Sequence, residues 1–70
     1  MTVAQINILV EMRKQGLSGV SEIADALGRH PSTIRGTMNI LIRDKLVVRK
    51  GHGVYGLTSA GKRKVAAWEG

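Results

Sequence analysis

The chain has 70 residues, with 11 Lys and Arg against five Asp and Glu, no cysteine, and two aromatic residues, Tyr55 and Trp68. So short a chain allows one domain with a modest aliphatic core, and the composition excludes disulfides and a thiolate zinc site as staples. The net charge of +6 is an electrostatic footprint for a polyanion, set against the plainer role of solubility, and no apolar run approaches the ~18–20 residues of a membrane span.

Residues 1–15 read as a helix that is apolar on two sides. Ile8, Leu9 and Met12 cluster around one direction with Gln5, while Val3, Ile6 and Val10 cluster around nearly the opposite one. Two stripes call for two coverings. One is the pair of helices that follows; the other is the C-terminal helix, a second subunit, or both. Gly16 ends the helix, with Arg13 and Lys14 favourably placed in its last turn. Leu17 to Gly19 form a connector expected at the edge of a small strand. Ser18 or Gly19 caps the next helix, with Glu22 in its first turn.

From Ser21 to Lys45 two helical patterns meet at a tight break. In the first, Ile23, Ala24 and Leu27 share a face and Gly28 is the stop signal. The second opens at His30 and Pro31, since proline has no N–H to leave unpaired in a first turn. Successive residues then turn by roughly 100°. Ile34, Met38 and Leu41 fall in one apolar stripe, with Ser32, Arg35, Gly36, Asn39 and Arg43 opposite. Ile42 flanks the stripe, and Ile40 lies on its shoulder toward the polar side. A short helix, a turn and a second helix with a donor-rich outer face is the layout of a helix-turn-helix. Such a face suits a major groove, where hydroxyls, an amide and guanidinium groups can meet base edges and phosphates.

After Lys45 the periodicity changes. β-branched residues flank Arg49-Lys50-Gly51-His52-Gly53, which predicts a two-stranded hairpin with a cationic tip over residues 46–57. Thr58 or Ser59 then caps a last helix, Ala60 to Trp68, in which Val65, Ala66 and Trp68 offer apolar surface. Trp68 is expected as a lid over the second stripe of the first helix.

Helix, helix-turn-helix, hairpin, helix is the order of the winged helix-turn-helix family, and the sequence resembles it, particularly the MarR-like and related bacterial and archaeal regulators. The resemblance is carried by Gln5, Ile8-Leu9 and Met12; by Val20-Ser21-Glu22-Ile23-Ala24 with Leu27-Gly28; and by Pro31-Ser32-Thr33-Ile34 with Met38 and Leu41. Leu46-Val47, Gly53-Val54-Tyr55-Gly56-Leu57-Thr58 and Gly61 complete it. It implies a mainly α fold with a small β-hairpin, a three-helix core, a wing and a C-terminal helix, with residues 1–70 as a single domain. It also implies that Ser32, Thr33, Arg35, Gly36 and Asn39 face the major groove, and that Arg49 to His52 lie along the backbone or in the adjoining minor groove. Two departures stand out. Gly36 sits where the family often has a long polar or basic side chain, so either the helix backbone comes close to DNA there or direct reading is weak. The resemblance does not extend to the long dimerisation helices of MarR-like proteins, so a homodimer is expected through the first and last helices, by Val3, Ile6, Val10, Val65 and Trp68, or not at all.

Each residue has a plainer role beside the functional one. Ser32 and Thr33 suit first-turn capping as well as phosphate contact. Arg35 and Asn39 are either a solvated face or readers of guanine and adenine, and Arg43, near the far end of the helix, suits a phosphate. His30 is a cap before Pro31, and His52 a solvated tip residue or a phosphate contact. Two histidines far apart do not make a metal site, no cofactor is implied, and no nucleophile with an orienting partner points to an enzyme. The leading expectation is a cytoplasmic (in a prokaryote or its virus, nucleoid-associated) double-stranded DNA-binding regulator. Helix 31–45 reads the major groove and wing 46–57 grips the backbone. With no effector pocket evident, it acts by occlusion, as a repressor, or by recruitment. The alternatives are a winged-helix module for a protein partner and an architectural protein of viral or plasmid recombination, replication or packaging.

Overall fold

The computed structural model describes residues 2–69 as α1 (Val3–Gln15), α2 (Val20–Leu27), α3 (Pro31–Arg43), β1 (Val47–Gly51), β2 (Val54–Leu57) and α4 (Ser59–Glu69). This is the winged helix-turn-helix, four helices and an antiparallel hairpin. Its core is Ile8, Leu9 and Met12 of α1, Ile23 and Ala24 of α2, Ile34, Met38 and Leu41 of α3, Val47 and Val65, each 2% exposed or less. The three stripes read from helical periodicity are the three that meet there.

Local bonds fix where each helix starts. Thr2 caps α1: its hydroxyl accepts the Gln5 N–H at 3.2 Å, and the Gln5 side chain accepts the Thr2 N–H at 3.1 Å. The helix thus begins at Val3; residue 1, included in the sequence expectation, lies outside the described residues. Gly19 is the N-cap of α2, its N–H donated to the Glu22 carboxylate at 2.8 Å, which is the capping role expected of Glu22. His30 caps α3, with Nδ1 accepting the Ser32 N–H at 3.1 Å.

The ends of α2 and α3 are alike in bonds and unlike in sequence. At α2, the Gly28 N–H reaches Asp25 O at 3.3 Å and the Arg29 N–H reaches Ala24 O at 2.9 Å, with Gly28 left-handed at φ 64. At α3, the Lys45 N–H reaches Ile42 O and the Leu46 N–H reaches Leu41 O, both at 3.0 Å. Here the left-handed residue is Lys45, at φ 62. α3 therefore stops at Arg43 and not at Lys45. Without a glycine to announce the stop, the helical pattern read two residues too far.

That left-handed lysine turns the chain into the wing. The Thr58 hydroxyl donates to Lys45 O at 2.7 Å and accepts the Gly61 N–H at 3.0 Å, so one side chain caps α4 and anchors the end of α3. A side chain on Gly61 would drive its Cβ into the Leu46 carbonyl oxygen, which makes glycine a steric requirement at that crossing. In the hairpin Val47, Val48 and Arg49 pair with Leu57, Gly56 and Tyr55, and a bulge leaves Lys50 unpaired. Ser18 adds a bridge to the other edge of β2, its N–H to Tyr55 O at 2.9 Å and its carbonyl from the Tyr55 N–H at 2.8 Å. The connector is thus the strand edge that was expected.

The second stripe of α1 is covered in part. Val65 of α4 is buried in the core, which removes it from the surface expected to pair two copies. Ile6 and Val10 are half-buried and line, with Lys64 and Trp68, a shallow depression between α1 and α4. Val3 is 72% exposed and Trp68 62% exposed, so Trp68 is not the lid that was expected. The short α4 crosses α1 at Val65, and apart from the exposed Trp68 its other apolar side chains are alanines, too small to close the face.

Candidate nucleic-acid interface

α3 presents its polar face because the opposite one is locked. Ile34, Met38 and Leu41 are 2%, 1% and 0% exposed, which fixes the rotation of the helix about its axis. Ser32, Arg35, Gly36, Asn39 and Arg43 are accordingly all exposed. Among the described residues neither Arg35 nor Asn39 has a side-chain partner, so their donors are free for a ligand. Arg43 lies 3.5 Å from Asp44 in an ion pair exposed at both ends, which solvent weakens and a phosphate could displace.

Thr33 is exposed but sits on a flank. It borders a small depression between α1 and α3 with Asn7, Arg29 and Thr37, away from the centre of the outer face. Ile40 is 36% exposed on the same flank as Thr33, nearer the polar row, while Ile42, on the opposite flank, packs against the core.

The wing divides its cations. Arg49 and His52 stay at the tip, where Arg49 Nε donates to Gly51 O at 3.3 Å and its Nη2 lies 3.4 Å from His52 Nδ1. Lys50 goes elsewhere. Its aliphatic stem lies over Gly56, and it lines a hollow of about 490 Å³ with Met12, Arg13, Leu17 and Lys62. The structure thus separates three residues that adjacency in sequence had grouped. A hollow of this kind was not evident in sequence. The walls of this hollow come from the end of α1, the connector, the hairpin and α4, and no local pattern joins those pieces.

Among the described residues no helix is long and apolar enough to cross a membrane.

The family model for the methanogenesis regulatory protein FilR1, N-terminal domain, matches residues 2–69. Among solved structures, BpsR of Bordetella bronchiseptica, whose DNA binding is regulated by 6-hydroxynicotinic acid, is 25% identical with a TM-score of 0.92; the match covers 99% of this chain and 53% of that one. An alanine-to-valine variant of MepR from multidrug-resistant S. aureus is 26% identical at a TM-score of 0.88, covering 99% and 55%. A glutamine-to-proline variant of MepR is 30% identical at 0.83, again covering 99% and 55%. No curated protein sequence matches. The chain spans about half the length of these solved structures, which are winged-helix transcription regulators of the MarR family. Matched along nearly its whole length, the chain belongs to the family of the FilR1 N-terminal domain.

Proposed function

We propose that residues 1–70 act as one DNA-binding domain of a transcription regulator. α3 enters the major groove of double-stranded DNA, and Arg49 and His52 hold the flanking backbone. The observation that carries this reading is the outer face of α3, where exposed, unpartnered Arg35 and Asn39 project from a helix locked by its buried side. Such side chains can meet base edges in pairs of hydrogen bonds, and Ser32 and Arg43 add phosphate contacts toward the two ends. The likeness to transcription regulators favours regulation over an architectural role. Binding to a preferred and a random duplex across a salt series tests the proposal. The preferred site should bind more tightly, and log affinity should fall by roughly 0.9 per phosphate contacted for each unit of log salt. No duplex binding near physiological salt would leave the protein-interaction module as the better reading.

On DNA the domain is a homodimer through α1 and α4. Exposed Val3 and Trp68 beside half-buried Ile6 and Val10 form an apolar face that two copies would cover together. Sedimentation with and without a palindromic duplex checks this. A monomeric mass in both conditions, with one chain per duplex, would contradict it.

A second reading concerns the hollow. Lys50 and Lys62 around Met12 and Leu17 offer cationic groups over an apolar floor, which suits a small organic carboxylate. The regulation of BpsR by 6-hydroxynicotinic acid gives this a precedent in a relative. Calorimetric titration with 6-hydroxynicotinate should show binding that Lys62→Ala weakens; no heat of binding at millimolar ligand would remove the hollow from regulation.

A further inference from the structure

We propose that Gly36 and Ile40 form an apolar notch on the outer face of α3 that accepts the 5-methyl group of a thymine. The inference rests on the reading of α3 as the major-groove helix and adds to it a base that polar side chains do not explain.

Glycine at position 36 is unexplained by the chain itself. It lies in the middle of a helix, where only proline is less favourable. Its φ is not positive, unlike that of Gly16, Gly28 and Gly53. A Cβ built on it meets no heavy atom within 4 Å. Gly61 makes the contrast: a neighbouring carbonyl oxygen excludes a side chain there, whereas nothing in this protein excludes one at Gly36. Space at Gly36 therefore serves something outside the fold.

Ile40 shows what that is. One turn further along and roughly 40° around the axis, it stands beside Gly36 on the same face. It is one of the exposed large apolar residues and does not pack on the core. Around the pair lie Ser32, Asn39 and Arg43, all polar and exposed. The reading face thus holds one apolar spot, recessed at Gly36 and walled by Ile40. Among the groups that bases present in the major groove, the thymine 5-methyl is the apolar, projecting one; the rest are hydrogen-bond donors or acceptors. A missing Cβ leaves about the space a methyl group fills.

The test exchanges one methyl group on each side of the contact. A preferred duplex selected from a random pool is prepared with each thymine replaced in turn by deoxyuridine. Affinities are then measured for the wild-type chain, Gly36→Ala and Ile40→Ala. For wild type, one thymine should stand out, its replacement weakening binding by about fourfold, the value of one buried methyl group. Gly36→Ala should bind the thymine duplex several-fold more weakly and recover on the deoxyuridine duplex, reversing the preference. Ile40→Ala should lose the preference altogether. Thermal unfolding guards against a folding artefact, because Gly36→Ala should melt several degrees higher than wild type. A wild type indifferent to every replacement, or a Gly36→Ala chain whose loss is not relieved by deoxyuridine, overturns the notch. Arg35→Ala and Asn39→Ala separate that failure from a wider one. If they still weaken the preferred duplex, only the notch falls; if they too are silent, α3 is not in the groove.

Discussion

α3 and the wing both carry cations at the candidate interface, but the protein holds them in different ways. α3 is a 13-residue rod keyed into the core by Ile34, Met38 and Leu41, so Arg35 and Asn39 start from fixed positions. The wing has strands of five and four residues, and β1 buries Val47 alone. Its root is held by Val47, by Thr58 and by the Ser18–Tyr55 bridge, whereas its tip is held by contacts among Arg49, Gly51 and His52. A two-stranded hairpin is marginal by itself, and here support fades from root to tip. The difference teaches which task suits each region. Paired hydrogen bonds to a base demand angular accuracy, which a locked helix supplies. Attraction to phosphate tolerates a few ångströms of play, which an exposed tip can allow.

The largest mutational effect is expected at the buried stripe that holds α3. Leu41 is fully buried, and Leu41→Ala should cost ~2–5 kcal/mol of stability in thermal or denaturant unfolding. A loss below about 1 kcal/mol would mean that α3 is not held by its inner stripe. Next are the proposed readers: Arg35→Ala and Asn39→Ala should each weaken a preferred duplex by ~1–3 kcal/mol and a random duplex less. Equal losses on both DNAs would make α3 a second backbone grip and erase its distinction from the wing. Arg49→Ala should weaken all duplexes alike and flatten the salt dependence of log affinity by about 1. Lys50→Ala should change that slope less, because its stem lies back over Gly56, and a larger effect from Lys50 would reverse the division of the tip. The smallest effect is at the end of α3. Lys45→Gly should raise stability by up to ~1 kcal/mol, since a left-handed lysine carries a Cβ penalty that glycine does not. A loss of stability there would show the side chain making contacts that outweigh the strain.

Much of the fold could be read from the sequence because local signals agree with it. The stripe Ile34, Met38, Leu41 is legible from spacing alone, and Gly28 marks the end of α2 because glycine is the usual residue in a left-handed turn. Lys45 takes the same conformation without that marker, and there the sequence reading overran. What stayed hidden is non-local. Val65 is one apolar residue in a cationic helix, and its burial follows from where Thr58 and Gly61 set α4 on the Leu46 backbone. Lys50 reads as part of a basic tip until the bulge and the open face of Gly56 turn it toward the hollow. The outer face of α3 was legible as residue types and as an orientation, because the buried stripe defines the opposite side. Which bases Arg35 and Asn39 meet is a property of the complex.

The outer face of α3 is the surface proposed to meet duplex DNA. Backbone amide spectra of the isotopically labelled chain, recorded while a preferred duplex is added, address it residue by residue. The largest shifts are expected at Ser32, Arg35, Gly36, Asn39 and Arg43, smaller ones at Arg49 and His52, and little change at Ile6 and Val10 beyond what dimerisation causes at equal stoichiometry. Shifts centred on the α1–α4 face with α3 unmoved would contradict it.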